Sequence, residues 1–227
     1  MKKKIIIACS KQWFFENPLV KNFLKKKDVV LIQNKSKLNK KILNKIKPSF
    51  IFFPHWSYKV DKNIINNYNC ICFHAAPLPY GRGGSPIQNL IKRNFKKTPI
   101  CALKMTSKID AGPIFLKKII MLDGNLDQIF FRISNVIIKM IDTLIKKKIK
   151  PKAQKGQIVI FKRIKKTESE IKNEKNITKI YDKIRMLDSK EYPKAFIKIK
   201  NYKVYFFNAE FKKKSLSCNA KIIKTKN

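Results

Sequence analysis

Short, unbroken apolar runs separated by polar, lysine-rich segments recur through the first third of the chain. Ile5–Cys9, Asp28–Gln33, Ser49–Pro54 and Cys70–His74 are four such runs, each apolar on both faces. Runs of this length with no alternation predict strands buried on both sides of a sheet. Between them, Ser36–Lys47 opens on a serine suited to an N-cap and spaces Leu38, Ile42, Leu43 and Ile46 as a helix would. Lys62–Asn67 predicts a shorter helix. Apolar strands alternating with short helices predict an α/β fold with a doubly wound, mostly parallel sheet. Ligands of such sheets sit at the carboxyl ends of the strands, and Pro54-His55 and His74-Ala75 fall at two of those ends.

Further on, Pro86–Asn94 predicts a helix with proline in its first turn and Ser85 as N-cap. Pro99–Met105 and Pro113–Leu122 predict strands on either side of a turn at Asp110. Asp127–Lys148 is the longest helical candidate, with Ile129, Ile133, Val136, Ile137, Met140, Ile141 and Leu144 along one face. After Pro151 the texture changes. Gln157–Phe161 reads as a strand, Lys162–Asn176 as a charged exposed connection, and Thr178–Asp188 as a helix. Tyr202–Phe207 and Lys221–Ile223 suggest a small sheet. The expected organisation is a main domain over 1–165 and a small α+β module over 166–227.

Charge complicates this picture. The 227 residues carry 53 basic and 14 acidic side chains, a formal net charge of +39. Such a balance ordinarily points to nucleic acid or an anionic surface. Yet only Arg82, Arg93, Arg132, Arg163 and Arg185 are arginines, and lysine is spread along the whole length together with Ile and Asn. Codon usage in an AT-rich genome would produce that pattern, and the alternative is a surface selected to bind polyanions. The five cysteines, an odd number scattered within apolar runs, predict reduced buried thiols and not a disulfide framework. The apolar run after Met1 ends at Cys9-Ser10, too short for a signal-peptide core or a membrane span, so a cytoplasmic protein is expected.

The densest chemistry lies in Cys70–Pro86. A strand delivers His74, and Pro77 and Pro79 then stiffen a loop that Gly81, Gly83 and Gly84 keep bare. A second signal, Lys108-Ile109-Asp110-Ala111-Gly112-Pro113, sets an acid in a tight turn. His74, Cys72 and Cys70 share one strand face, but their spacing within an extended strand argues against a zinc site. A lone histidine is ordinarily a core residue, and a lone turn aspartate caps local amides. Together, a proton-accepting imidazole and a carboxylate suit attack by an amine on a carbonyl carbon, which requires proton removal and a donor for the oxyanion.

The stretch His74-Ala-Ala-Pro-Leu-Pro-Tyr-Gly-Arg-Gly-Gly-Ser-Pro-Ile-Gln88, followed by Lys108-Ile-Asp-Ala-Gly-Pro-Ile114, resembles the folate-dependent formyltransferase family. The likeness covers roughly residues 1–160. Ile184-Arg185-Met186-Leu187-Asp188 and Glu191-Tyr192-Pro193-Lys194-Ala195-Phe196 resemble the small C-terminal module of several members. The resemblance implies a Rossmann-like formyltransferase fold, 10-formyltetrahydrofolate as formyl donor, a primary amine as acceptor and no metal. It implies catalytic roles for His74 and Asp110, and it sets Cys72 where the family carries an asparagine. A thiol donates weakly compared with an amide N–H, so oxyanion stabilisation would fall on protonated His74 or on a substitute such as His55, Ser57 or water. Pro54, His55, Trp56, Ser57 and Tyr58, with Ile109 and Asp110, occupy the positions that hold the pterin. Trp56 and Tyr58 also fit plain core aromatics. Pro79, Tyr80, Gly81, Arg82 and Gly83 are the candidates for the acceptor side, with Arg82, Arg93 or Lys104 as partners for a phosphate. The first expectation for the acceptor is a nucleotide-activated amino sugar, because 227 residues leave little room for a large tRNA-handling domain. The alternatives are methionyl-tRNA, and an inactive fold acting as a basic RNA-binding module. No membrane partner is expected, and a homodimer is allowed.

Overall fold

The structure, a computed structural model, describes residues 4–225. The four apolar runs form β1 (Ile5–Ala8), β2 (Val29–Ile32), β3 (Phe50–Phe53) and β4 (Cys70–His74). They lie side by side in the order β2-β1-β3-β4, all parallel. The sheet continues through β6 (Lys97–Lys104), antiparallel to β4, to β7 (Ile114–Met121) at its edge. The mostly parallel α/β sheet is therefore the one the pattern predicts.

Both faces of the central strands β1 and β3 are buried, while the edge strands β2 and β7 are partly exposed. Ile6, Ala8, Ile51 and Phe53 share a cluster with Leu43 of α3 (Lys40–Ile46) and Ile64 of α4 (Lys62–Asn67). On the other face Ile5, Ile7 and Phe52 are fully buried. Each such side chain contributes roughly 1.5–3 kcal/mol by leaving water. That explains why the strand sequences carry no polar alternation. Of the two helices before β2, α1 (Gln12–Glu16) escapes the apolar-run reading because Trp13-Phe14-Phe15 is contiguous and shows no period, whereas α2 (Pro18–Lys26) spaces Leu19, Val20, Phe23 and Leu24 as a helix does. Asn17 caps α2, accepting from the Leu19 and Val20 amides, and its own amide donates to Asn135 in the long helix α6 (Leu126–Lys146).

Two expected caps are not made. Ser36 lies in a 3-10 turn, Lys35–Lys37, and Asn39 caps α3 instead, accepting from the Ile42 amide at 3.0 Å. Ser85 does precede α5 (Pro86–Lys92), but its φ of 47° turns its hydroxyl away from the helix. That hydroxyl accepts from the Ile164 amide at 3.2 Å.

The chain divides into two compact units. One comprises Met1–Gly83, Pro99–Ile120 and Phe131–Ile160, and the other Gly84–Thr98, Met121–Phe130 and Phe161–Asn227. In the second, α7 (Ile177–Arg185) accompanies an antiparallel sheet of β9 (Ala195–Ile199), β10 (Tyr202–Lys212) and β11 (Ser215–Lys224). β10 outruns its expected end because a bulge between Phe207 and Glu210 breaks the alternation. Asn208, at φ 51°, turns its N–H onto Asp188 there, at 2.8 Å. Buried Arg185 pairs with Asp182 and donates to the Leu122 and Gly124 carbonyls, while Asp188 also pairs with Lys194. Among the described residues no helix is long and apolar enough to cross a membrane.

Candidate active site

Strand β4 ends in His74, whose side chain is 8% exposed. The loop that follows contains a cis Leu78–Pro79 peptide and leads into β5 (Tyr80–Gly83), with Gly81 and Gly83 at φ 88° and 104°. Those values lie in the region glycine adopts without penalty. Gly81 thereby turns its carbonyl oxygen to 2.7 Å from His74 Nε2. Gly83 turns its N–H to donate to Asp110 Oδ2 at 3.0 Å. The bareness of Gly84 has a different cause. A Cβ there would lie 2.8 Å from Arg163 Cα, so the main chain at 163 fills the space that the sequence suggested for a ligand.

Asp110 arrives from the far side of the histidine. Because β6 is antiparallel to β4, its end at Lys104 lies opposite Ile71, three residues and about 10 Å short of His74. The loop over 105–113 spans that distance and returns to Lys104, whose N–H donates to the Pro113 carbonyl. Gly112 makes the return passable, since a Cβ there would sit 1.7 Å from the Lys104 carbonyl oxygen. Asp110, at φ 51°, projects its carboxylate so that Oδ2 is 3.4 Å from His74 Nδ1. The two residues singled out in the sequence thus meet, held by main-chain groups two residues apart in one glycine loop.

Both ring nitrogens of His74 face oxygen acceptors, a carbonyl and a carboxylate. A neutral imidazole has one N–H, so only the doubly protonated ring satisfies both contacts. Asp110 Oδ1 takes no part in them. Cys72 lies two residues before His74 on the same strand face, with Sγ 3.9 Å from the Leu103 carbonyl oxygen. Burial first, and then the charge of Asp110, push its thiol well above the ordinary range, so it stays protonated.

Phe53 pairs with Cys72, so the 54–58 loop begins one strand over from the histidine. Ser10, just past β1, holds that loop: its hydroxyl donates to the His55 carbonyl at 3.0 Å and accepts from the Ser57 amide at 3.1 Å. His55, at φ 49°, packs against Trp13 with ring centroids 4.6 Å apart. Burial, with the nearby charge of Lys11, lowers its imidazole to about 3. It is neutral near pH 7 and supplies no positive charge to an oxyanion. Trp56 packs on the core beside Phe53 and Tyr58, and its indole N–H is buried without a hydrogen-bond partner among the described residues. Pro54 is buried, whereas Ser57 and Tyr58 are exposed. Ile109, beside Asp110, is 77% exposed.

On the expected acceptor side, the Pro79 carbonyl accepts from the Val159 amide of β8 (Val159–Phe161), and Tyr80 is half-buried. Arg82 directs Nε and one terminal nitrogen onto Gln154 Oε1, at 3.1 and 2.8 Å. Arg93 is spent on Asn89 and the face of Phe161, and Lys104 is exposed. Sequence reasoning missed Ser10 and Gln154. The place of Ser10, directly after a buried strand, was a usable signal. Gln154 had none, being one polar residue in a polar stretch 44 positions from Asp110. Among the described residues no group of three His, Cys, Asp or Glu side chains could hold a metal ion.

The profile described as "Methionyl-tRNA formyltransferase, C-terminal domain" matches residues 166–223. A solved structure, methionyl-tRNA formyltransferase from Clostridium thermocellum, superposes with a TM-score of 0.92 at 41% identity, covering 98% of this chain and 99% of that one. The chain belongs to the folate-dependent formyltransferase family. Methionyl-tRNA formyltransferase from Campylobacter lari is 34% identical over 163 residues, 69% of this chain and 54% of that protein. The chain spans about half to two thirds of the length of the curated relatives it matches. The formyltransferase PseJ from Anoxybacillus kamchatkensis, solved with a formamido-sugar nucleotide and tetrahydrofolate, shares the fold. Its TM-score is 0.54 at 18% identity over 70% of this chain and 85% of that one.

Proposed function

We propose that this protein moves a formyl group from 10-formyltetrahydrofolate to the amine of methionyl-tRNA. The observation that carries the reaction type is the His74–Asp110 pair, clamped between the Gly81 carbonyl and the Gly83 N–H. The residues present fit a folate. The loop 54–58, which Ser10 holds through the His55 carbonyl and the Ser57 amide, lies at a strand end, Ile109 offers an exposed apolar surface, and the Trp56 indole N–H is buried without a partner among the described residues. The donor supplies a formyl carbon open to attack by an amine.

Asp110 Oδ1, free of the contacts that fix Oδ2, takes the proton that the attacking amine must lose and would return it to the donor nitrogen as the bond between that nitrogen and the formyl carbon breaks. A doubly protonated His74, the form that satisfies both of its acceptors, would stabilise negative charge developing on the formyl oxygen. At 3.4 Å the His74–Asp110 contact is an ion pair of loose geometry, of the kind that tightens when substrates arrive. Cys72 contributes an uncharged S–H beside this pair.

For the acceptor, support comes from the C. thermocellum enzyme, which bears the tRNA-formylating name and matches almost end to end. The expectation of an amino sugar rested on length, and that match at equal length removes the discrimination. Sugar-modifying relatives share the fold at low identity, which supports no substrate. The test is incubation with labelled formyl donor and, separately, methionyl-tRNA and a panel of amino-sugar nucleotides. Label in tRNA alone is expected, and label in a sugar nucleotide alone would overturn the acceptor. His74→Ala and Asp110→Asn should each abolish transfer with the fold retained by circular dichroism. Near-wild-type turnover in either variant would refute the roles given to the pair.

A further inference from the structure

We propose that Gln154 is the positioning residue for Asp110, and that Arg82 acts through it. The inference rests on the reading of His74 and Asp110 as the reacting pair. After α6 the chain returns along the start of β7, where Ile114 and Lys152 exchange main-chain hydrogen bonds of 2.7 and 2.9 Å in an antiparallel bridge. Two residues later that anchored segment brings half-buried Gln154 to the Asp110 turn. Its Nε2 donates to the Asp110 carbonyl at 2.7 Å and to the Gly112 carbonyl at 2.8 Å. Its Oε1 accepts from Arg82 Nε and Nη2. Carbonyls cannot donate and a guanidinium cannot accept, so the orientation of the amide is fixed by its neighbours. Both N–H groups and both acceptor positions are in use, which leaves Gln154 nothing to offer a substrate.

The connectivity shows what the strut does. Arg82 stands between Gly81, whose carbonyl faces His74 Nε2, and Gly83, whose N–H holds Asp110 Oδ2. The same dipeptide therefore grips Asp110 twice: Gly83 takes its carboxylate, and Arg82, through Gln154, takes its main-chain carbonyl. Asp110 sits at φ 51°, a conformation sparsely populated for a residue with a side chain. A backbone held there from one side only could relax and swing the carboxylate away from His74. The positive charge of Arg82 polarises the Gln154 amide and strengthens its N–H donors toward the turn. Arg82, expected on sequence grounds to meet an acceptor phosphate, commits two of its donors to this internal contact.

The experiment compares Gln154→Met, which removes the polar atoms at nearly constant volume, with Gln154→Glu. The latter keeps an acceptor for Arg82 but sets a carboxylate against two carbonyl oxygens, and it carries the test if Q154M does not fold. In both, kcat for formyl transfer is expected to fall about 100-fold, the cost of misplacing a reacting group by roughly 1 Å. KM for the formyl donor should stay within about threefold. Arg82→Ala combined with Q154M should be no slower than Q154M alone, because Arg82 works through the lost amide.

A second readout is independent of turnover. The protein contains two histidines, His55 and His74, so a ¹⁵N spectrum of the imidazole rings holds two sets of signals. In Q154M the His74 set should move to the positions it holds in Asp110→Asn, with the His55 set unmoved. Wild-type kcat with unmoved His74 signals in both Gln154 variants would overturn the proposal. A wild-type protein that formylates no acceptor would instead overturn the reading of function, and the ring spectra would still decide whether Gln154 sets the Asp110 contact.

Discussion

Replacing Cys72 by asparagine tests how the site handles the oxyanion. Cys72 shares a strand face with His74, and its thiol stays protonated with Sγ 3.9 Å from the Leu103 carbonyl oxygen, a weak contact. An asparagine there would present an N–H donor of amide strength where the native residue presents an S–H. A well-placed oxyanion donor is worth about 10²–10³ in kcat, or about 2.7–4 kcal/mol. That is a ceiling here, for two reasons. The Leu103 carbonyl competes for the new amide, and the two extra heavy atoms must fit beside the cluster of Leu78, Cys101, Leu103 and Ile114 on which Cys72 packs. Overpacking of that order costs about 1–3 kcal/mol of stability. The expected outcome is a kcat for formyl transfer about 10- to 100-fold above wild type. KM for both substrates should change less than about threefold, and the unfolding midpoint should drop by a few degrees. Steady-state kinetics with labelled donor and a thermal melt measure these quantities, with Cys72→Ala as the reference that removes the thiol without adding a donor. A folded C72N protein no faster than C72A would refute the idea that position 72 faces the developing charge. If C72A alone lost 100-fold, the S–H would be a better donor than its chemistry suggests.

Two other measurements probe the scaffold around the site. His55 is held neutral in the folded protein to about pH 3, whereas the unfolded chain protonates it below about 6.5. The unfolded state thus binds the extra proton between those values, and stability is lost as pH falls through that window, by about 2 kcal/mol between pH 7 and 5. Urea unfolding at both pH values should show that loss in wild type and its absence in His55→Asn; equal losses in the two proteins would remove His55 as the cause. Gly112→Ala forces a Cβ onto the Lys104 carbonyl and should cost about 1–3 kcal/mol or more, together with most of the turnover, because the same turn carries Asp110. A stable and fully active G112A would show that the loop has slack the structure does not display.

The sheet and the meeting of His74 with Asp110 were legible in the sequence because each leaves a local mark. Parallel strands buried on both faces leave unbroken apolar runs, and tight loops that present side chains leave clustered glycine and proline. His74 and Asp110 stand beside such punctuation. What stayed hidden depends on partners distant in the chain. Ser85 looks like a helix cap, but its hydroxyl serves the Ile164 amide 79 residues on. Gly84 looks like a ligand cradle, but the main chain at Arg163 fills it. Arg82 looks like an anion-binding arginine, and its guanidinium lies on Gln154, 72 residues away. In each case residue type announced a capacity for hydrogen bonding or close approach, and only the tertiary structure decided which partner used it. The helices α1 and α2 also went unread. The aromatic residues of α1 are consecutive and show no period, whereas α2 does carry local signals, Leu19, Val20, Phe23 and Leu24 at helical spacing behind Asn17-Pro18, a cap followed by proline at the first helical position.

This division between local and distant determinants bears on how the site accommodates a cysteine at 72. The contacts that fix His74 and Asp110 come from the Gly81 carbonyl, the Gly83 N–H and the Gln154 amide. The first two are main-chain groups whose directions are set by positive φ, so they do not depend on which side chain occupies position 72. Cys72 enters none of them, and its polar contact is to the carbonyl of Leu103 on the neighbouring strand. Exchange of an asparagine for a cysteine therefore removes a donor without loosening the pair. Had position 72 been part of the clamp, the same exchange would have released Asp110 from its φ of 51° and dismantled the site. On the proposed roles, the departure from the family pattern falls at the one position of the three where an exchange is expected to change the rate and spare the architecture, which the C72N and C72A kinetics test.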